Sequence, residues 1–257
     1  MLEVERRNAI LDLLKQKPVV HVTEISQTLF FSEATVRRDL VRLEKDGLIT
    51  RVRGGAILNS ASTMEIPTAV RTSENRLIKR QIAMLASEGI HNNQTLFLDS
   101  STTVLELIPL LQSKRNLTII TNGLLTASRA LELLPDAHLY LVGGLVREHG
   151  IASIVGATAR SFVEASHADS FFFSVHAVDP KFGTSDLSES EVEIKRAMMR
   201  NSDRSVLLAD SSKFGHLGRF RLCGMEEVDS IITDAAHPID WTPYTPLKTP
   251  PQFAPGL

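Results

Sequence analysis

A stretch of 36 residues near the N-terminus, 22–57, joins two short amphipathic helical patterns to a basic, glycine-bearing hairpin. Apolar residues recur in it at the three- and four-residue spacing that predicts one buried helical stripe. The stripe consists of Leu29, Val36, Leu40 and Leu43. Ser32 stands directly before the second helical pattern, where its hydroxyl can accept from the first free backbone amides. Gly47 is the predicted end of that helix, and LITRVRGGAIL then predicts two short strands. Together these features predict a winged helix-turn-helix.

The polar and basic side chains of this stretch are the candidates for contact with DNA. They are Ser32, Thr35, Arg37, Arg38, Arg42, Arg51 and Arg53. Hydroxyl and arginine side chains on such a helix can reach base edges and phosphates in the major groove, and arginines near the tip of the wing can contact the DNA backbone. The alternative is an ordinary helical hairpin with a solvated charged face. The Ser-capped Arg-Arg helix, the glycine stop and the Arg-x-Arg-Gly-Gly hairpin together favour DNA binding.

The positive charge of this stretch is local, because the whole chain has a formal net charge of −2. Between Thr35 and Gly55, six arginines and lysines are opposed only by Asp39, Glu44 and Asp46. Cys223 is the single cysteine, which excludes an internal disulfide and fits a reducing compartment. No apolar run approaches the roughly 20 residues that span a bilayer, and the first residues carry charges where a signal peptide is apolar. We therefore expect a soluble, cytoplasmic protein with no membrane partner.

Composition shifts predict four regions along the chain. They are a winged helix-turn-helix domain over 1–57, a linker over 58–70, a larger domain over 71–236, and a proline-rich tail over 237–257. Six of the eleven prolines lie in this tail, so we expect it to be extended or disordered rather than regular. Trp241 and Tyr244 could still dock it on the body.

Short apolar strands alternate with helical patterns through the body of the chain. The predicted strands are TLFLD, LTIITN, AHLYLVGG, DSFFFSV, SVLLAD and VDSIITD, and the predicted helices include ENRLIKRQIAMLASEGI, TTVLELIPLLQ and SESEVEIKRAMMRN. This alternation predicts an α/β domain with a mostly parallel sheet that helices cover on both faces. Ligands of such sheets bind beyond the carboxyl ends of the strands. The predicted fold class is therefore an α+β winged helix-turn-helix joined to an α/β domain with a mostly parallel sheet.

Polar residues cluster where four of these strands end. The clusters are Asp99, Ser100, Ser101, Thr102 and Thr103; Thr121, Asn122 and Gly123; Gly143, Gly144 and Arg147; and Asp210 with Ser211, Ser212 and Lys213. Hydroxyls and free amides at a helix N-terminus can hold a phosphate. Each cluster alone is more often a helix cap, a turn or a solvated lysine. Four of them at successive strand ends favour a small, anionic, polyhydroxylated ligand.

From about Glu5 to Asp234 the chain resembles DeoR-type transcriptional regulators. The motifs that carry the resemblance are SEATVRRDL, RVRGG, ENRLIKR, LDSSTT, IITNG, LVGG with the arginine that follows, and LADSSKFG before IITD. The resemblance implies a body similar to the ribose-5-phosphate isomerase and CoA-transferase fold, without the activity of the enzyme. It also implies that this body, over 71–236, is an effector and oligomerisation domain that senses phosphorylated sugars.

The resemblance assigns roles to several side chains of the effector domain. It implies phosphate contacts from residues 100–103, with Asp99 and Asn122 near the sugar hydroxyls. It also implies that Lys213, Glu191 and Lys195 border the pocket. Glu191 and Lys195 are four residues apart on a predicted helix, so a surface ion pair is an equal alternative for them.

One segment departs from the family pattern. After the strand DSFFFSV the family has a small glycine-rich segment with Asn-Gly or Asp-Gly, whereas this chain reads HAVDP over 176–180 and keeps Gly183-Thr184. A bulkier, stiffer loop changes the wall of the pocket, because glycine allows a closer backbone approach. His176 is a candidate ligand contact, although a lone histidine is more often structural. The identity of the sugar therefore stays open.

Two functions from different classes follow from the sequence. The first is a DNA-binding regulator, expected to repress a carbohydrate-utilisation operon as a homo-oligomer (dimer or tetramer) and to respond to a phosphorylated sugar. The alternative is a sugar-phosphate isomerase-like enzyme with a DNA-binding module, for which Asp99, Asp179 and Asp210 are the candidate bases. No carboxylate pair has a useful spacing for catalysis, so no catalytic residue is assigned. The histidines and the cysteine lack metal-ligand spacing, and Gly143-Gly144 lacks the third glycine of a dinucleotide motif, so neither metal nor cofactor is expected.

Overall fold

The structure is a computed structural model that describes residues 3–17, 19–45, 48–52, 54–58, 68–147, 152–234, 241, 244 and 247–254. The chain divides into two compact units, Met1–Glu74 and Asn75–Leu257. Most of the predicted linker and much of the predicted tail fall outside the described residues, so the predicted domain limits stay predictions. Among the described residues, no helix has the length and apolar character that a membrane crossing requires.

The N-terminal unit consists of helices packed around a small antiparallel sheet. Its elements are α1 (Glu3–Gln16), β1 (Val20–His21), α2 (Val22–Leu29), α3 (Glu33–Lys45), β2 (Ile49–Val52), β3 (Gly55–Leu58) and α4 (Thr68–Ser73). The strand order is β1-β3-β2, and β3 is antiparallel to both neighbours. The predicted winged helix-turn-helix is confirmed, with β2 and β3 as the wing. The predicted helix end at Gly47 lies outside the described residues.

The core of this unit contains the predicted apolar stripe. Val36, Leu40 and Leu43 are buried together with Ile25 and Ile49, whereas Leu29 is only partly buried at the edge of the cluster. The wing reaches this core through Gly55, where an added Cβ would lie 2.4 Å from the carbonyl oxygen of Val20. Only glycine therefore lets β3 pair closely with β1.

The C-terminal unit is built around a seven-stranded sheet. Its helices are α5 (Arg76–Glu88), α6 (Thr102–Leu105), α7 (Leu124–Leu133), α8 (Ala157–Glu164) and α9 (Glu189–Arg200), with 3-10 turns at Ile108–Leu111, Ser211–Lys213 and Met225–Glu227. Its strands are β4 (Thr95–Leu98), β5 (Thr118–Thr121), β6 (His138–Leu141), β7 (Leu145–Arg147), β8 (Ser153–Val155), β9 (Ser170–Phe173), β10 (Ala177–Asp179), β11 (Gly183–Asp186), β12 (Ser205–Leu208), β13 (Phe220–Cys223), β14 (Ser230–Thr233) and β15 (Gln252–Phe253).

The predicted parallel sheet is confirmed. Its order is β15-β14-β12-β9-β4-β5-β6, and every neighbouring pair in it is parallel. The chain leaves β4 toward β5 on one side and returns as β9 on the other, so a crevice is expected where β4, β5 and β9 end. Leu96 and Leu98 face one buried cluster and Phe97 faces another, which places helices over both faces of the sheet.

Two sequence predictions for this unit are wrong. TTVLELIPLLQ does not form one helix, because α6 ends at Leu105 and a separate 3-10 turn begins at Ile108. Pro109 lies in that turn, where it lacks the backbone N–H that a continuous helix would use. The tail is not without regular structure, since β15 pairs with β14 as an edge strand and Ala254 N donates to Thr233 O at 2.8 Å. An edge position tolerates proline close by because only one side of the strand is hydrogen-bonded.

The antiparallel strands beside the main sheet went unpredicted. β7 pairs with β8, and β11 lies between β10 and β13 in a three-stranded sheet. Gly183 begins β11 with φ +82°, and an added Cβ would lie 2.2 Å from the carbonyl oxygen of Cys223. Glycine is therefore required at position 183, because the backbone of β11 passes close to the backbone at Cys223.

Candidate DNA-binding surface and effector site

The start of α3 has the geometry that the sequence predicts. The Ser32 hydroxyl accepts from the backbone N–H of Thr35 at 3.2 Å and lies 2.9 Å from the Thr35 hydroxyl. Arg37, Arg38 and Arg42 are exposed on the same helix. This cap fixes the first turn of a helix whose exposed side bears three guanidinium groups.

Neighbouring carboxylates hold two of the arginines that are proposed to contact DNA. Arg37 pairs with Glu33 at 3.0 Å, and Arg51 Nε lies 2.6 Å from Glu44 Oε2. The hydrogen bond from Arg51 lowers the pKa of Glu44. Within the described part of the chain Arg38 makes no ion pair, so its guanidinium is available without breaking a contact. Arg53 lies outside the described residues, and its role stays a prediction.

The buried carboxylate of Asp99 joins the ends of β4 and β9. Its Oδ1 accepts from Ser101 N at 2.8 Å, and its Oδ2 accepts from Ser174 N at 3.0 Å. Lys195 Nζ lies 3.3 Å from the same Oδ2. Since Asp99 is fully buried, these contacts hold together the two strands that border the crevice.

Lys195 is buried in this crevice with three acceptors around its ammonium group. It donates to Ser174 O at 2.6 Å and to Asp186 Oδ2 at 2.7 Å, and it faces Asp99. Burial alone would lower the pKa of Lys195, but the charges of Asp186 and Asp99 outweigh burial and raise it. Three acceptors match the three hydrogens of an ammonium group, so Lys195 orders the carboxylates around it.

Glu191 reaches the same crevice from α9. Its carboxylate accepts from the hydroxyl of Ser153 and from that of Ser100, the latter at 3.4 Å. Burial raises the pKa of Glu191, although the charges of Lys195 and Arg147 oppose the rise. Glu191 and Lys195 are both buried and bond other residues, so the alternative of a surface ion pair between them is wrong.

The end of β5 closes the crevice against β4. An added Cβ on Gly123 would lie 2.8 Å from Ser100 Cα, so glycine is needed for this approach. The Thr121 hydroxyl accepts from Gly123 N at 3.0 Å, and Asn122 Nδ2 donates to Ile154 O at 3.3 Å. Asn122 is fully buried, and among the described residues its Oδ1 has no hydrogen-bond partner.

The remaining residues of the first and third clusters line the same end of the sheet. Ser101 caps α6 by accepting from Val104 N at 3.2 Å, and Thr102 and Thr103 are buried in the first turn. Gly144 has φ +151° and passes close to β8, since an added Cβ would lie 2.7 Å from Val155 O. Gly143 is open to solvent, with nothing within 4 Å of an added Cβ. Arg147 ends β7, half-buried, and its charge acts on Glu191.

Asp210 and Lys213 lie at the end of β12, which is separated from β4 by β9. Asp210 Oδ1 accepts from Ser212 N at 3.1 Å and from Asn75 Nδ2 at 3.3 Å. Ser211 donates through its backbone N–H to Asp234 at 2.7 Å. This cluster therefore forms a capped turn on the flank of the crevice.

His176 lies beside the crevice through its backbone. Its N–H lies 3.1 Å from Ser185 O and 3.1 Å from Asp186 Oδ1, and its side chain is half-buried. Sequence reasoning missed Asp186, Ser153 and Ser174. The one sequence signal for Asp186 was its position as an acidic residue shortly after the retained Gly183-Thr184.

Comparison with known families decides the identity of the chain. A DeoR-like helix-turn-helix domain matches residues 6–62, and a DeoR C terminal sensor domain matches residues 74–235. The chain belongs to the DeoR family. It is thus a DNA-binding transcriptional regulator with a C-terminal sensor domain, as its motifs predicted.

The similarity to other transcriptional regulators extends over nearly the full length of this DeoR-family chain. It is 34% identical to the HTH-type transcriptional regulator GolR of Listeria innocua, over 91% of both chains. It is 32% identical to the glycerol-3-phosphate regulon repressor of Escherichia coli K12, over 93% of this chain and 94% of that protein. Such coverage includes both the winged head and the sensor domain.

The solved structures that resemble the DeoR-family chain are distant. Ribose 5-phosphate isomerase A from Methanocaldococcus jannaschii is similar with a TM-score of 0.40 and 13% identity, over 55% of each chain. The enzyme from Neisseria gonorrhoeae has a TM-score of 0.39 and 15% identity, over 58% of this chain and 56% of its own.

Proposed function

We propose that this chain represses a carbohydrate-utilisation operon and that a phosphorylated sugar, bound where β4, β5 and β9 end, changes its affinity for DNA. The relative named as a glycerol-3-phosphate regulon repressor supports a phosphorylated effector. The observation that carries the site is the buried, unpartnered Oδ1 of Asn122. An unsatisfied buried acceptor is costly, and a ligand hydroxyl that donates to it would remove that cost.

The chemistry around Asn122 suits a ligand that is both hydroxylated and anionic. Asp99 is a further acceptor for hydroxyl groups, and the hydroxyls of residues 100–103 with the backbone amides of Thr102 and Thr103 are donors for a phosphate. Arg147 supplies a positive charge close enough to act on Glu191 in the crevice. A phosphorylated sugar presents both kinds of group, whereas an unphosphorylated sugar would leave the donors without an anion.

We propose no enzymatic activity for this chain. An isomerase needs a carboxylate free to take a proton from a substrate carbon. Asp99 accepts from two backbone amides, and Asp179 accepts from Lys181 N at 2.8 Å and Phe182 N at 2.7 Å. Asp210 caps its own turn. These contacts favour structural roles over catalysis for the three candidate bases.

We propose that the regulator acts as a homo-oligomer in the cytoplasm, where it meets its operator DNA. One winged head covers a single half-site, so pairing of heads is needed for selectivity. The exposed apolar side chains of Tyr140, Leu141, Leu145 and Val146 lie on β6, an edge strand of the sheet, and on β7. They support an association surface on the sensor unit.

A thermal-shift comparison tests the ligand assignment. Purified full-length chain is heated with ribose 5-phosphate, glycerol 3-phosphate and other phosphorylated sugars, each beside its unphosphorylated parent. A ligand at a hundredfold excess over its Kd should stabilise the folded state by about 2.7 kcal/mol. We expect a rise in the melting midpoint with a phosphorylated compound only, and loss of that rise in Asn122→Ala. The matched control Asn116→Ala, on an exposed turn, should respond like wild type. A response equal for parent sugars, or unchanged in Asn122→Ala, would contradict the proposal.

A further inference from the structure

The C-terminal tail lies beyond the sensor-domain match, which ends at residue 235, and it docks on the sensor unit through an aromatic clasp. The clasp consists of Phe214, Trp241, Tyr244 and Phe253. The ring centroids of Trp241 and Tyr244 lie 5.1 and 5.7 Å from that of Phe214, both edge-on, and Trp241 lies 6.0 Å from Phe253. Such edge-to-face pairs stabilise beyond their apolar burial. Phe214 and Tyr244 are both buried in the core cluster.

Two further contacts hold the tail on the sensor unit, and both are made to Asp229 rather than to Phe214. Lys248 Nζ pairs with Asp229 Oδ1 at 2.7 Å, and the Thr249 hydroxyl donates to Asp229 O at 2.6 Å. β15 then pairs with β14, adjacent to the end of the tail. The contacts at Asp229 are thus separate from the clasp, and the Trp241 ring can be altered while those contacts and the backbone pairing of β15 remain.

Phe214 directly follows the Ser211–Lys213 turn. Phe214 N donates to Ser211 O at 3.4 Å, a long hydrogen bond that alone would hold the turn weakly. Gly215 N donates to Val178 O at 2.9 Å on the other side of Phe214. Ser211 and Ser212 are exposed. The ring of Phe214 is therefore the main apolar anchor of a turn whose other contacts are polar and close to solvent.

We propose that Trp241 and Tyr244 are positioning residues for the effector site. They act through Phe214 to hold the Ser211–Lys213 turn, and hence Lys213, in place for the anionic group of the ligand. This inference rests on the proposed function and adds Lys213 to its ligand contacts, because Lys213 lies in the turn after β12, the strand next to β9. A turn that is ordered before binding does not lose conformational entropy on binding, so the clasp raises ligand affinity by preorganisation.

The test compares three variants of the full chain. Trp241→Ala removes the ring that contacts Phe214, Trp241→Phe keeps an aromatic ring there, and Lys248→Ala breaks a tail attachment outside the clasp. Ligand affinity is measured by calorimetry with ribose 5-phosphate, glycerol 3-phosphate and inorganic phosphate. Hydrogen exchange of residues 211–215 and affinity for operator DNA are measured in parallel.

We expect Trp241→Ala to weaken binding of the phosphorylated ligand about tenfold, which corresponds to about 1.4 kcal/mol. Exchange over 211–215 should rise, Trp241→Phe should restore affinity, and Lys248→Ala and operator binding should match wild type. Wild-type affinity in Trp241→Ala would overturn the inference while leaving the proposed function intact, even if exchange rises. An equal loss in Lys248→Ala would also overturn it, because the tail would then act as a whole and not through the clasp. If wild type binds no phosphorylated compound, the proposed function and the inference both fail.

Discussion

Arg6 on α1 holds the buried carboxylate of Asp39 on α3 with two hydrogen bonds. Nε donates to Oδ2 at 2.5 Å and Nη2 donates to Oδ1 at 3.0 Å. The Arg6 guanidinium also lies 4.9 Å from the ring centroid of Phe31, two residues before the start of α3. This pair sets α3 against α1, so the orientation of the exposed arginines depends on a residue outside the helix-turn-helix.

Asp39→Ala should strongly destabilise the winged head. Removing one partner of a buried ion pair leaves the other charge uncompensated, at a cost of about 3–5 kcal/mol. Glu33→Ala, which breaks the exposed pair with Arg37, is the matched control and should cost about 0.5 kcal/mol. Chemical denaturation followed by circular dichroism measures both. Similar losses in the two variants would contradict a structural role for Asp39.

Arg38→Ala should weaken operator binding more than Arg37→Ala. Arg38 has no ion pair among the described residues, whereas Arg37 must release Glu33 before it contacts DNA. Loss of a base contact costs about 1–3 kcal/mol, and loss of a phosphate contact weakens all sequences alike and reduces the salt dependence. Fluorescence anisotropy at several salt concentrations distinguishes the two. Arg129→Ala, an exposed arginine of the sensor unit, should bind DNA like wild type. If the double variant of Arg37 and Arg38 folds and binds its operator like wild type, the assignment of α3 is wrong.

Thr102→Asp should abolish the response to the effector while leaving DNA binding intact. Thr102 is buried in the first turn of α6, so a carboxylate there would repel a phosphate in a poorly solvated site. We expect ligand affinity to fall at least about tenfold, since the repulsion should exceed the surface scale of about 1 kcal/mol. Thr102→Ser keeps the hydroxyl and serves as the control. Calorimetry on the folded variants measures their affinity for the phosphorylated ligand. An unchanged Kd in Thr102→Asp would mean that the phosphate binds elsewhere.

Glu191→Gln should stabilise the sensor unit at neutral pH. Burial raises the pKa of Glu191 above its ordinary 4.5, so the folded state holds this proton more tightly than the unfolded state. Its favourable contribution is present below about pH 4.5 and is lost as the pH rises through the raised pKa. The neutral glutamine does not lose it. Melting midpoints from pH 4.5 to pH 8 should therefore fall less for Glu191→Gln than for wild type. Curves parallel to wild type and to the exposed control Glu193→Gln would contradict this account.

The sequence predicts the elements whose signals are local. The Ser32 cap, the stripe through Val36 and Leu40, and the alternation of strands and helices all depend on spacing along a few residues. They predicted the winged head and the parallel sheet. Asp39 instead reads as one of the charges that oppose the arginines, and only the packing of α1 reveals its burial.

The rest of the site depends on contacts between distant segments. Asp186 and Ser153 lie on short antiparallel strands whose pairing has no strong periodic signal. Their partners Lys195 and Glu191 are recognisable only as an i, i+4 pair, which is equally typical of a solvated helix. The edge strand β15 escaped prediction because the prolines around it argue against regular structure. Side chains that meet across 30 or more residues are decided by tertiary packing.

Release of operator DNA by a phosphorylated sugar tests the central claim most directly. An operator selected from random sequences is labelled, and its anisotropy with the full-length chain is followed as ribose 5-phosphate, glycerol 3-phosphate and their unphosphorylated parents are added. The account predicts that one phosphorylated compound shifts the Kd for DNA by about tenfold or more, within the range of about 1–3 kcal/mol that is typical of coupling between sites. It also predicts that the parent sugar has no effect and that Asn122→Ala binds DNA without responding. The account would be contradicted if no phosphorylated compound alters the affinity for the operator. It would also be contradicted if the compound alters the operator affinity of Asn122→Ala as much as that of wild type.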